Sequence, residues 1–423
     1  MGRIPRDYDI ATDAPPSAVR ELFPRVIEVG AAFGVSRVMV NDVPTEVAAF
    51  RADIGTADGR HPAEVRFCGA EEDAKRRDFT INGMFYDPIE DRIIDYVEGR
   101  RDVERKVVRA IGDADERFRE DYLRMLRAVR FASTLAFELD PRTAEAIARQ
   151  SSHIAEISAE RIQYELTRML TESPRPGSGL NLLLKTGLLP IILPEVAAMA
   201  GQEQSPDFHP EGDVFTHTVQ MLDSMPSNPP VTLAYAVLLH DVGKPASAET
   251  VRDEDGTARI RFHGHAERGA EMTEEILRRL RMPSQLIEDV VHCVCNHMRL
   301  MNVREMRESK LRRLVAAPTF DIELELHRLD CVNSHGNLEN HHFLRAFIEE
   351  LGQAPRVPRP WITGHDLMAM GIPEGPEIGR WHRIAHEAQM ENRFASREEL
   401  LKWIRTTLAD TGLPQSPSRD TST

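Results

Sequence analysis

Glu120-Asp121-Tyr122-Leu123-Arg124-Met125-Leu126-Arg127-Ala128-Val129-Arg130-Phe131 contains neither Gly nor Pro, and its spacing predicts one unbroken helix. Asp121, Arg124, Arg127 and Arg130 recur every third residue along one face, while Leu123, Leu126 and Ala128 or Val129 supply an apolar flank. A carboxylate accepts from an exocyclic amine, and a neighbouring guanidinium donates to a ring nitrogen or carbonyl. Together they match the Watson–Crick edge of adenine or cytosine, whereas guanine and uracil present a different pattern. A solvated helix laced with ion pairs has the same spacing, each pair contributing about 0.2–0.5 kcal/mol. The helix alone does not choose between a base-reading template and a surface.

Two earlier stretches bear on that choice: Arg76-Arg77-Asp78-Phe79-Thr80-Ile81-Asn82-Gly83-Met84 and Asp7-Tyr8-Asp9-Ile10-Ala11-Thr12. On an extended strand Asp7 and Asp9 point to one face, and Glu46 can reach that face from a neighbouring strand. Three hard carboxylates suit two Mg²⁺ ions that hold a triphosphate and activate an attacking 3′-hydroxyl. A lone Asp-x-Asp is more often a solvated turn. In this order the three stretches resemble the class II tRNA nucleotidyltransferase and poly(A) polymerase family, which contains the bacterial CCA-adding enzymes, and the resemblance runs from Gly2 to about Thr406.

The resemblance implies that Asp7 and Asp9 bind Mg²⁺ and that Glu46 assists catalysis. It implies nucleotide binding by the Arg76, Arg77 and Asp78 segment, with Arg77 or Asp78 the foremost contact, and base selection by Asp121 with Arg124, flanked by Arg127 and Arg130. ATP, CTP and tRNA are the implied partners. Glu160-Arg161-Ile162 matches a motif that supports the template helix. The family's Gly-Gly and Arg-Asp pairs, which precede the aspartates, are not found ahead of Asp7. The head is therefore expected to be truncated at its start, through a start codon placed downstream of the true one or through loss of transferase function. The intact remainder favours the first, and nucleotide addition by residues 1–423 is expected to be poor.

A chain of 423 residues exceeds a single core. The expected class is α+β. A small N-terminal α/β nucleotidyltransferase head (residues 1–88) precedes a largely all-α neck (89–172), an HD body (180–350), a helical tail (361–412) and a disordered end (413–423). No apolar run approaches the ~18–20 residues of a membrane span, and no apolar signal segment follows Met1, so a cytoplasmic location is expected. Cys68, Cys293, Cys295 and Cys331 form no CxxC pair, so neither a zinc ribbon nor a disulfide framework is indicated. A net charge of −15 argues against coating nucleic acid non-specifically and weakens the poly(A) polymerase option. Arg100 to Arg175 carries fifteen Arg or Lys against fourteen Asp or Glu, so RNA contacts are expected there or on its neighbours.

Locally, Asp13-Ala14-Pro15-Pro16 is expected to cap a helix running to Val26, and Asn41-Asp42 to turn a hairpin. Glu64 should open a strand with Val65 and Phe67 on its apolar face. A turn is expected over Asp95–Val103, a serine N-cap at Ser158, a breaker-rich domain boundary over Glu172–Gly179 and a stiff linker over Gln353–Pro360.

A second constellation follows. His217 lies within an apolar helix, His240-Asp241 ends a buried-looking one, and His265, His297 and Asp330 come later, with His263 and His292 near the pattern. Neutral imidazoles and aspartates from separate helices suit one or two divalent transition metals, such as Ni²⁺ or Mn²⁺, whose bound water becomes a nucleophile. The ordered set resembles the HD phosphohydrolase superfamily. That resemblance implies His217, His240, Asp241 and Asp330 as metal ligands, with His265 and His297 holding a second metal; a scaffold retained for packing is the alternative. Gly371–Pro376, before a helix expected at Ile378, resembles tails that contact tRNA, although a plain turn fits equally. Three readings stand: a CCA-adding nucleotidyltransferase with a fused HD hydrolase; an HD phosphohydrolase with a degenerate head, or a poly(A) polymerase; and an RNA-binding module with both sites silent.

Overall fold

The computed structural model describes residues 8–28, 34–56, 62–204, 212–252 and 258–410. The chain divides into two compact units, Met1–Val294 and Cys295–Thr423.

In the first unit, Val35–Val40 and Val43–Ala49 pair as the expected hairpin. Asn41 and Asp42 take φ of 49° and 63°, the left-handed pair that a two-residue hairpin turn requires and that these side chains tolerate. Val26–Glu28 adds antiparallel to Val35–Val40, and Ile10–Thr12 adds parallel to Val43–Ala49, completing a four-stranded sheet. Val19, Val38 and Val47 form its core. The first helix is shorter than expected, Pro16–Leu22, because Phe23 precedes Pro24 and is held extended. Val26 lies in a strand, and the N-cap is Pro15, without a side-chain hydrogen bond.

Arg51–Thr56 and Pro62–Phe67 form a separate two-stranded ribbon in which Phe67 is 51% exposed, not packed on an apolar face. Met84–Asp87 and Arg92–Asp95 form another. Where a turn was expected after Asp95, the Gly99–Arg105 helix begins, and the Asp95 carboxylate accepts from the backbone N–H groups of Val97, Gly99 and Arg100.

The expected unbroken helix is two. Ala114–Glu120 stops at Asp121, which is extended (φ −157°, ψ 106°), and Leu123–Leu135 restarts. The Asp121 carboxylate accepts from Leu123 N–H at 3.0 Å, offering the backbone a local alternative to the helix. Glu172–Gly179 likewise departs from expectation, because Pro176 starts a helix that reaches Lys185. Gly177 and Gly179 lie inside it for close approach: a Cβ on Gly177 would meet the Val219 carbonyl oxygen at 2.2 Å, and one on Gly179 would meet Met169 and Ser133 at 2.7 Å. Ala159–Glu172 has Ser158 at its N-cap position, though the side chain makes no capping bond.

In the second unit, Leu300, Val303, Leu314, Phe320 and Leu344 anchor one core cluster. Ile362, Leu367, Trp381, Leu400 and Ile404 anchor another, between the Gly364–Ala369, Pro376–Met390 and Arg397–Asp410 helices. The predicted linker is pinned to one of these: the Gln389 amide accepts from Trp361 N–H and donates to Arg359 O, and His386 donates to Pro358 O. Among the described residues no helix is long and apolar enough to cross a membrane. The expected disordered end, residues 413–423, lies outside the described residues.

Candidate functional site

Asp7 lies outside the described residues, whereas Asp9 directly precedes the first strand. That strand runs parallel to Val43–Ala49 with Ile10 opposite Val47. Continued one residue back, that register would bring Asp9 level with Glu46, on the opposite face from Val47 by period-two alternation. Both residues are exposed, and Glu46 accepts from Arg37 at 2.8 Å. Two neighbouring carboxylates on a solvent-facing sheet surface fit a hard divalent cation.

The other expected nucleotide-binding residues meet along a polar seam. Asp73 is buried within the Ala70–Lys75 helix and takes Arg76 at 2.6 Å and Arg77 at 3.2 Å. Arg77 also donates to Asn82 O at 2.9 Å and lies over the Phe85 ring. Asp78 accepts from Phe79 N–H, from the Asn82 amide and from both Nε and Nη2 of Arg127, at 2.7–3.0 Å. Burial opposes its charge, but the Arg127 guanidinium and these donors outweigh burial and hold the carboxyl below the usual range.

Arg124 pairs with Glu120 and donates to Arg117 O. Arg117 bonds the same Glu120 at 2.8 Å and donates to Lys75 O and Arg76 O, tying the seam to the neck. Asp121 takes Arg161 at 2.7 Å. Arg130 departs furthest from expectation. It is 3% exposed and paired with Glu165, itself 2% exposed, so it serves the neck core. Asp73, Glu120 and Glu165 were missed by sequence reasoning. Glu120 lies four residues before Arg124, and Asp73 three and four residues before Arg76 and Arg77, spacings that signal pairs; Glu165, whose partner Arg130 lies on another helix, gave no comparable signal.

The second site lies on apolar helices. Asp213 caps Val214–Asp223 by accepting from Thr216 N–H at 2.7 Å, and this helix buries His217 completely. Val231–Leu239 is buried from Leu233 onward and delivers His240 and Asp241. Gly243 admits the neighbouring His265–Arg279 helix, since a Cβ there would meet His265 O at 2.2 Å. Ring nitrogens of His217 and His240 lie within 4.8 Å of one another, as do ligand atoms of Asp241 and His265. His240 Nδ1–H donates to Val237 O at 2.9 Å and His265 Nδ1–H donates to Phe262 O at 2.8 Å. A carbonyl only accepts, so Nδ1 of each ring carries a proton and Nε2 is the nitrogen placed to ligate a metal. Those two nitrogens stand 3.1 and 3.7 Å from the two oxygens of Asp241. Imidazole nitrogens gathered around a buried carboxylate fit a divalent metal.

His263 and His292 are exposed. His297 and Asp330 belong to the second unit. His297 is buried where the 3₁₀ segment His297–Glu305 begins, and Asp330 is half-buried on Phe320–Val332, which packs on that segment. Cys331, beside it, is an idle thiol, its pKa pushed up to about 12 by burial and by Asp330. Lys244 was missed: it lies 2.7 Å from Asp241, and its i+3 spacing from that residue was the available signal.

Residues 1–109 match the poly A polymerase head domain, 136–199 the family described as "Probable RNA and SrmB- binding site of polymerase A", and 213–318 the HD domain. The CC-adding tRNA nucleotidyltransferase of Thermus thermophilus is 34% identical over 424 residues, covering 95% of this chain and 91% of that protein. The CCA-adding enzyme of Bacillus subtilis is 45% identical over 171 residues, which span 40% of this chain and 43% of that protein. The crystal structure of the Bacillus stearothermophilus CCA-adding enzyme in complex with CTP aligns with a TM-score of 0.71 at 25% identity, covering 97% of this chain and 91% of that one.

Proposed function

The chain belongs to the tRNA nucleotidyltransferase and poly(A) polymerase family, and from that premise we propose that it adds C and A nucleotides, from CTP and ATP, to tRNA 3′ ends. The parallel pairing of Ile10–Thr12 with Val47–Ala49, which continued one residue back brings Asp9 level with Glu46, is the observation that supports this reading. Asp9 and Glu46, together with Asp7, would hold Mg²⁺. When bound, Mg²⁺ neutralises the triphosphate and lowers the pKa of the attacking 3′-hydroxyl.

The protein's own part is positioning. Each Asp121 oxygen accepts one bond, from Leu123 N–H or from Arg161, and keeps a second lone pair for an exocyclic amine. Arg124, fixed by Glu120, would donate beside it. The Asp78–Arg127 pair holds the preceding segment against this helix. Arg76 and Arg77 would lie toward the nucleotide.

Purified protein given tRNA ending before, within or after the CC dinucleotide, with CTP and ATP supplied separately, tests the reading. Addition of C from CTP to ends lacking CC, and of A from ATP to ends carrying CC, is expected, slow rather than robust. Addition of C together with failure to add A to an end carrying CC would favour the narrower activity in the name of the Thermus thermophilus relative, and absence of any transfer would refute the reading.

The same protein, we propose, hydrolyses phosphate esters at the His217, His240, Asp241 and His265 cluster, with a transition metal such as Ni²⁺ or Mn²⁺; the sequence motif supplies His297 and Asp330 as the remaining donors. Metal analysis, with bis(p-nitrophenyl) phosphate hydrolysis compared with that of Asp241→Ala, tests it. Equal rates would remove the proposal.

A further inference from the structure

Lys244 is 6% exposed. Its ammonium lies 2.7 Å from Asp241 Oδ2, donates to Gln204 Oε1 at 2.6 Å and stands 5.5 Å from the Phe262 ring centroid. Lysine is almost never so buried without a partner anion, and here the anion is a residue of the metal cluster. The two Asp241 oxygens also face Nε2 of His240 and of His265, the ring nitrogens opposite those that donate to carbonyls. Two imidazoles and the Lys244 ammonium thus converge on one carboxylate. Gln204 and Phe262 hold that charge in place; Phe262 does double duty, because its carbonyl also sets the His265 tautomer.

We propose that Lys244 is a resident counter-cation: it neutralises Asp241 in the metal-free protein and competes with the incoming divalent ion for the same oxygen, thereby setting metal affinity. This rests on the metal-site reading above. Two consequences run in opposite directions. Without Lys244 the buried carboxylate loses its compensating charge, so the metal-free protein is weakened. The incoming ion then meets neither a competitor nor a like charge, and binding tightens by roughly tenfold or more.

The test uses the full chain, stripped with EDTA and titrated with Mn²⁺ in a calorimeter, alongside thermal unfolding without metal. Lys244→Met and Lys244→Gln are compared with the wild type; the glutamine keeps a neutral donor for Asp241 should the methionine variant fail to fold. Expected are a lower metal-free unfolding temperature and a Kd for Mn²⁺ reduced tenfold or more. A wild type that binds no Mn²⁺ beside a Lys244→Gln variant that does would support the proposal equally. If the wild type binds and the variants bind no more tightly, Lys244 is merely structural and the proposal fails while the metal site stands. If no variant binds, the metal-site reading fails and takes the proposal with it.

Discussion

Replacing Glu165 by Ala should damage the neck far more than replacing it together with Arg130. Arg130 is buried, and its guanidinium has Glu165 as its ion-pair partner and the Phe131 ring 3.9 Å away. Burial depresses the Arg130 pKa while Glu165 opposes that shift, so the pair holds the charge in place. Arg127 lies 3.7 Å from Glu165 as well. Removing Glu165 strands the Arg130 cation, and the Phe131 ring, already against it in the wild type, offers nothing new in compensation, so a loss of about 3–5 kcal/mol is expected. The pair Arg130→Met with Glu165→Leu fills the space with apolar atoms and should be roughly neutral or stabilising.

Hydrogen exchange over Leu123–Leu135 and Ala159–Glu172 reads this directly. Protection in Glu165→Ala should fall by roughly two decades or more, at about 1.4 kcal/mol per decade, and should return in the double variant. A double variant as unprotected as the single one, or a single variant within tenfold of wild type, would refute the reasoning. Loss of CTP or ATP binding in a fully protected double variant would instead give Arg130 the nucleotide contact that its burial argues against.

Asp78 makes stability depend on pH. Its folded pKa is lowered, so its contribution is present above the unfolded value of about 3.9 and is lost as pH falls through the lower folded value. The urea midpoint of Asp78→Asn should therefore trail wild type by a constant margin from about pH 5 to 7 and converge with it in acid; a margin unchanged down to about pH 3 would contradict this. Gly177→Ala, which meets a backbone carbonyl, should cost about 1–3 kcal/mol in chemical denaturation. Gly379→Ala, with nothing within 4 Å of the added methyl on its helix, should be neutral or stabilise by up to about 1 kcal/mol; equal effects at the two sites would undo the close-approach argument. Asp241→Ala should abolish phosphodiester hydrolysis and leave nucleotide addition within a factor of two, measured on one preparation.

The features legible in the sequence were those whose cause is local or whose pattern is improbable. Asn41-Asp42 announces its turn because both side chains tolerate positive φ. The histidine and aspartate order is readable because so many imidazoles seldom sit beside apolar runs by chance. The break at Asp121 was hidden because one of its anchors, Arg161, lies forty residues downstream. Gly177 and Gly179 read as breakers since nothing nearby in sequence reveals Val219 or Met169 packed against them. Arg130 shared its spacing with Arg124 and Arg127, and only the arrival of Glu165 from another helix separates a core ion pair from an exposed guanidinium. Lys244 was within reach of Asp241 by spacing alone, but a lysine after a Gly suggests solvent until the surrounding helices bury it.

The most direct measurement is extension of tRNA lacking its terminal triplet by wild type and by Asp9→Asn, with CTP, ATP and Mg²⁺, followed by the fold of Asp9→Asn by circular dichroism. Extension by wild type that vanishes in a folded Asp9→Asn is the predicted result. Equal extension by the two proteins, or none by wild type, would contradict the account.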